Sequence, residues 1–411
     1  MKSVPFIACW RAASIALAVL LASACSNVDE ALVPAELTAL ESTAFVKSEW
    51  HTPLDGNARI NGIGPFKSGQ VYSRPIFVPA GGQYFKLAIK DDVLFAVTKK
   101  GHIFAVNKNT GKPVWHVDLD RELSTGLGLF GDSLYTATPK GDVIALSVLD
   151  GKVQWTTTVS TEVVAAPQSN GKQVLVKAID GRLFGLDAET GKKLWNYDHP
   201  QPLLTFRAQS APLVVGQQAF VAFDNGQLMN FGTAEGDLRW SARVSQPKGV
   251  TELERTVDLD VTPLESGPFV LSAGANGRIA AISRGTGKIS WAEDASVFNE
   301  IALNDDAVFY VDDNSHVHAR RILSGQSLWD SKVLHRRGVG SPSVVGNYVA
   351  AIDDSNFLHI FDATTGELAA RKALRGNGFN SPILVDGYKI YIFSDNGSLS
   401  SYRVVPKQPK D

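Results

Sequence analysis

Two histidines separated by one residue, His316 and His318, have the spacing in this chain that best suits a metal ion, because alternate side chains of a strand share one face. No third ligand of suitable type is read beside them, so the expectation is a pair satisfied by hydrogen bonds or solvent, with no metal site. The signatures of catalysis are missing too, since the chain holds no GxSxG elbow, Walker loop, HExxH or CxxC. Its carboxylates fall mainly in turns, where they accept backbone hydrogen bonds. The expectation is a protein with no catalytic residues and no cofactor. What remains is recognition chemistry. Phe206 beside Arg207 sets an apolar anchor next to a forked donor, a combination enriched at interface hot spots. Asp258 and Asp260 alternate along an extended segment, so their carboxylates point the same way. A blander alternative is that Arg207 pairs with the two aspartates across a seam and only holds the loops.

These residues lie between copies of a repeating unit. Its clearest copy, AIDGRLFGLDAETGKKLW from Ala178 to Trp195, reads as strands Arg182 to Asp187 and Lys193 to Trp195 joined at Thr190-Gly191. The glycine can take the positive φ of a tight hairpin, and a Trp closes the unit. Related units end at Trp115, Trp155, Trp240, Trp291 and Trp329, and at Ala370 with the Trp lost, making seven copies. The steps between closing positions are 40, 40, 45, 51, 38 and 41 residues, the length of the four short strands of a β-propeller blade. Runs such as VLFAVT and KIYIFS are apolar on both faces, as sheets sandwiched between neighbouring blades must be. The repeated Trp rings read as filler of the seams between sheets.

Ala44 to Trp50 looks like a fourth strand with no inner strands before it, and Asn380 to Val405 like three strands with no fourth after them. Pairing the two gives an eighth blade and closes the ring, which removes free sheet edges. The fold expected is all-β, an eight-bladed propeller over residues 43–405 with a polar tail at 406–411 and Gly56 to Gly82 as a surface loop. In this register Gln201 to Gln209 lies between blades three and four, and Thr251 to Asp260 between blades four and five. Both segments therefore emerge on one face. The step from Trp240 to Trp291 is the longest of the series, so the second segment carries residues that packing a blade does not require.

The formal net charge is −2 over 411 residues, and no basic stripe interleaved with aromatics occurs, which argues against nucleic acid as a partner. Lys2 and Arg11 followed by the apolar run Ala12 to Ala24 form a secretion signal, too short to span a bilayer. The run ends in LASAC, which resembles the lipobox of bacterial lipoproteins with Ala22 in place of the usual Leu. The only cysteines are Cys9 and Cys25, so removal of residues 1–24 leaves Cys25 at the new N-terminus with no partner in the chain, and lipidation explains it. Ser26 is not the Asp that retains lipoproteins at the inner membrane, so the resemblance implies an outer-membrane anchor facing the periplasm. Residues 25–42 read as a lipidated N-terminus and free tether, whose sixteen or so residues span at most about 55 Å.

The repeat is similar to that of quinoprotein alcohol dehydrogenases, which are eight-bladed and use pyrroloquinoline quinone with calcium. Those enzymes carry an adjacent cysteine pair that the mature chain lacks. A closer likeness covers nearly the whole chain. The lipoprotein signal, tether and repeats, with FRAQSAP at 206–212, TELERTVDLDVTP at 251–263 and VLHRRGVGSP at 333–342, resemble the BamB family of propeller lipoproteins from the outer-membrane β-barrel assembly machine. The resemblance implies a non-enzymatic scaffold that binds the periplasmic POTRA domains of BamA, alongside the other Bam subunits. It also implies a part in the insertion of outer-membrane β-barrel proteins. The family's Leu-x-Leu-Arg run falls on Leu204, Phe206 and Arg207, with Phe206 in place of Leu, and its Asp-x-Asp pair on Asp258 and Asp260. An exposed blade edge could in principle add a strand from an unfolded outer-membrane protein. A lectin or adhesin on the same fold is a further reading.

Overall fold

A computed structural model describes residues 33–54, 87–200, 202, 210–247, 256–259, 261–376, 378, 379, 381–395 and 397–407. The signal sequence, Cys25 and the stretch 56–82 lie outside the described residues. The described residues form strands and no helix, arranged as eight four-stranded antiparallel sheets. In seven of them, blades one to seven, the strands follow chain order, over residues 88–118, 128–158, 168–197, 213–243, 264–294, 302–331 and 343–373. The eighth joins Leu384–Asp386, Lys389–Phe393 and Ser398–Pro406 to Ala44–Pro53 from the other end of the chain. That pairing runs antiparallel from Ala44 opposite Pro406 to Pro53 opposite Ser398, with a bulge between Ser48 and Trp50.

The second and third strands of each sheet are short apolar runs, such as VLFAV at Val93–Val97 and FLHIFD at Phe357–Asp362, buried on both faces. Burial on both faces follows from stacking, because each sheet packs between two others and has no wet side. The apolar side chains fall into eight clusters, each drawing on two neighbouring blades. One of them holds Leu94 and Phe104 of blade one against Tyr391, Phe393 and Leu399 of blade eight. Polar contacts cross the same seam, where the Lys108 ammonium lies 2.9 Å from Asp386 and that of Lys389 donates to Asn109.

The Trp residues do more than fill space. Trp155 lays its ring on the turn between the third and fourth strands of blade three, and its Nε1 donates to the Ala188 carbonyl at 3.0 Å. A Cβ placed on Gly191, which has φ +72°, would stand 2.5 Å from that ring, so glycine is required there both by backbone sign and by the Trp. The same contact recurs from Trp50 to Lys108, Trp115 to Val148, Trp195 to Thr233, Trp240 to Arg284, Trp291 to Ile322 and Trp329 to Ala363. Blade seven ends in Ala370 instead. The reason is topological: the third and fourth strands of blade eight come from opposite chain ends, so no turn joins them to receive a ring.

The N-terminal segment fills that place and is not free. Thr43 N–H donates to the Ala369 carbonyl, and the Arg371 guanidinium to the Thr38 carbonyl, both at 2.9 Å. Ala35 exchanges contacts with the linker after blade six, its N–H donating to His335 and its carbonyl accepting from Arg337. Leu37 packs on the cluster between blades six and seven. The stretch read as a tether is thus held to the ring from residue 35 onward.

Deleting the chain through Trp50 takes away the strand on Ser398–Pro406, the ring contact on blade one and the cover over blade seven. The expected result is a lower melting temperature for the whole ring in a single transition, with self-association through the exposed edge. A monomer that melts at the wild-type temperature would contradict this.

Candidate partner-binding face

In an antiparallel four-stranded blade, the link to the next blade and the turn between the second and third strands lie at the same end. The links from blade three to blade four and from blade four to blade five therefore start and end on one face of the ring, where residues 198–200, 210–212, 244–247, 256–259 and 261–263 are described. Among the expected contact residues, Leu204, Phe206, Arg207 and Asp260 lie outside the described residues, as does Cys25, the expected lipidation site. Asp258 is described, and it is fully buried. Its backbone bridges Ala275 in the turn of blade five, the Ala275 N–H donating to its carbonyl at 3.0 Å. A Cβ on Gly274 would meet that carbonyl oxygen at 1.9 Å, which explains a glycine at this approach. Val257, Leu259 and Val261 are buried around it.

The base of the first segment is clamped by groups whose burial the sequence does not advertise. The Lys177 side chain is only 2% exposed, and its ammonium has three acceptors for its three protons: the Ala222 carbonyl at 2.7 Å, Ser210 Oγ at 3.3 Å and Asp224 Oδ1 at 3.4 Å. This ties blade three to blade four directly beneath residue 210. On the other side His199 stacks on Tyr197, packs on Phe223 and accepts from Asn225 Nδ2 at 2.9 Å. Burial pushes the His199 pKa below its ordinary value against the pull of Asn225, in keeping with a neutral ring.

Hydrogen bonds then lace successive blade entries. Ala211 N–H donates to Thr262 Oγ1, Thr262 Oγ1 donates to Glu300, and Glu300 N–H donates to Ser341 Oγ. A cavity of about 420 Å³ opens on the same face, with Asp312, Asp313, Asp353, Asp354 and Phe379 among its walls. Two charged clusters border it. In blade seven, Asp353 Oδ2 accepts from Arg337 Nε at 2.7 Å and from His359 Nε2 at 2.9 Å, with Asp353 and His359 buried and Arg337 partly so. In blade six, Asp312 faces His316 and His318, supplying beside the histidine pair the third ligand type that the sequence reading passed over. A carboxylate four residues before His316 looks remote in sequence, but the Asp312–His316 turn folds it back onto both rings.

Comparisons place the chain among known proteins. The sequence model of a family described as outer membrane protein assembly factor BamB matches residues 99–331 and 319–404. The assembly factor BamB of Vibrio cholerae is 34% identical over 332 residues, covering 79% of this chain and 86% of that one. That of Pseudomonas aeruginosa is 30% identical over 397 residues, covering 96% and 99%. Among solved structures, BamB from Moraxella catarrhalis superposes with a TM-score of 0.72 at 23% identity, over 78% of this chain and 96% of that one. The quinohemoprotein alcohol dehydrogenase of Comamonas testosteroni reaches a TM-score of 0.64 at 13% identity, over 89% and 77%, a likeness of fold alone.

Lys177→Met should destabilise the ring by about 3–5 kcal/mol, because it removes the buried ammonium on which the Ala222 carbonyl, Ser210 and the Asp224 carboxylate converge. Denaturant unfolding checks this, and a midpoint equal to wild type would show that the clamp contributes nothing.

Proposed function

Because this chain belongs to the BamB family of outer membrane protein assembly factors, we propose that it binds the periplasmic POTRA domains of BamA through the face that carries residues 201–209 and 251–260. It is an outer membrane protein assembly factor and not an enzyme. The quinone-enzyme alternative is not favoured, since its support is a likeness of fold at 13% identity.

The observation that carries the reading is rigidity at the loop bases. Lys177 fixes residue 210, and the bridge from Asp258 to Ala275 fixes the end of the second segment. A frame that does not rearrange adds little ordering cost on binding, which favours affinity. Leu204, Phe206, Arg207 and Asp260 are the proposed contacts. Asp258, being buried, serves as a positioning residue: it anchors the extended segment from which Asp260 follows two residues later. Cys25 is the proposed site of the acyl anchor that holds the protein at the periplasmic face of the outer membrane. With residues from 35 onward held to the ring, the length of chain from Cys25 to Ala35 sets the greatest distance between the acyl group and the ring at about 35 Å.

Arg207→Ala and Asp260→Ala should each weaken binding to the BamA periplasmic region by about 1–3 kcal/mol at an unchanged melting temperature. Asp258→Ala should lower affinity and melting temperature together. Titration calorimetry beside thermal melts separates these cases, and unchanged affinity for Arg207→Ala would leave the partner elsewhere. Cys25→Ser should leave the ring folded while moving the protein from the membrane to the soluble fraction, because each buried CH₂ of an acyl chain supplies about 0.8 kcal/mol of membrane affinity. Membrane retention in high salt without BamA would contradict the anchor.

A further inference from the structure

The cluster in blade six has the donors, geometry and support of a metal site. Asp312 Oδ2 lies 3.1 Å from His318 Nε2 and 3.2 Å from His316 Nδ1, and the three atoms are mutually within 4.8 Å. Ligands about 2.0–2.1 Å from a tetrahedral ion stand roughly 3.3 Å apart, so two of the three separations already suit one ion. Each side chain is 14–17% exposed, enough for an ion to enter from solvent and too little for the rings to swing freely.

The remaining atoms of all three residues are engaged in the way metal ligands are held. His318 directs Nδ1 at Asp330 Oδ1 at 2.5 Å, and Asp330 is in turn fixed by the Arg320 guanidinium at 2.7 Å. His316 sets Nε2 against His335 Nδ1 at 2.9 Å. Asp312 uses Oδ1 to accept the N–H groups of Asn314 and His316, both at 2.9 Å, which leaves Oδ2 turned to the imidazoles. A carboxylate behind a ligating histidine fixes its ring and raises its basicity, and such outer partners tune affinity.

Blade seven shows what the same turn looks like without a site. Asp353 Oδ1 accepts from Phe357 N–H as Asp312 does from His316, and Asp353 Oδ2 faces His359 as Asp312 faces His318. There the side chain at the position of His316 is Phe357, and the cation beside the carboxylate is the guanidinium of Arg337. Blade six replaces the phenyl ring with an imidazole aimed at the same oxygen. We propose that Asp312 Oδ2, His316 Nδ1 and His318 Nε2 bind one divalent transition-metal ion of the zinc class, with a fourth position left to water. The ion ties the turn of blade six to its third strand on the face that bears the partner loops, and through His335 to the linker toward blade seven.

The test uses the full-length protein, purified in detergent without a histidine tag, stripped with chelator and titrated with cobalt(II). The wild type is expected to take up one cobalt ion per chain with the visible absorption of a four-coordinate site, and zinc should displace it. His316→Phe, which copies blade seven, should abolish that absorption, as should Asp312→Asn. Asp330→Asn should weaken binding about 10–100-fold through its hold on His318. His116→Gln should change nothing; it alters the other close histidine pair among the described residues, His102 and His116 in blade one. Absence of saturable uptake by the wild type, or uptake undiminished in His316→Phe at an unchanged melting temperature, would overturn the proposal. Either result would leave a hydrogen-bonded network and no site.

Discussion

The structure depends on one contact made repeatedly: an indole from the fourth strand of one blade lying on the glycine turn of the next. A propeller sheet buries both faces, yet each blade touches only its neighbours, so the ring's stability is a sum of seam energies. At seven of the eight seams the indole adds a large apolar area and a directed hydrogen bond to a fixed carbonyl, which sets the register as well as the affinity. Glycine at positive φ admits the ring because any Cβ would occupy its volume. The exception at Ala370 supports the account, since the blade that follows it has no such turn, and the segment up to Ala44 packs there instead.

Much of this is legible in the sequence, for a physical reason. Fixed spacing of Trp, turn glycine and two-sided apolar strands is imposed by local sterics and recurs in blade after blade, so repetition amplifies a signal that one blade would carry weakly. The extra length between Trp240 and Trp291 is legible on the same grounds, because it departs from a known period. What stays hidden is decided by contacts between distant residues. Nothing local distinguishes Lys177, at the end of the strand QVLVK, from a solvated lysine; its burial comes from Ala222, Ser210 and Asp224 converging on it. The docking of residues 35–43 rests on guanidinium groups more than 300 positions away, donating to backbone carbonyls that carry no sequence signal. Alternation at Asp258 tells which side a carboxylate takes, not whether that side is covered. The carboxylate facing His316 and His318 is missed because the turn, and not the strand period, brings Asp312 to them.

The described part of the candidate face gives the family resemblance a physical footing. Its loops rise from bases held by a buried ion pair, a backbone bridge and hydrogen bonds between blade entries. A rigid ring whose stability lies in its seams can display such loops without yielding to them, which suits a scaffold. The opposite face carries the turns at Gly111, Gly151 and Gly191, each with the indole of the preceding blade laid on it.

The central claim is that this face, presented by an unyielding ring, is where the partner binds. The most direct measurement is amide hydrogen exchange of the protein with and without the BamA periplasmic region. The account predicts slowed exchange confined to residues 201–209 and 248–260 and their immediate neighbours, with the buried second and third strands unchanged. Protection centred on the Gly111, Gly151 and Gly191 turns of the opposite face, or a change spread through the strands, would contradict it.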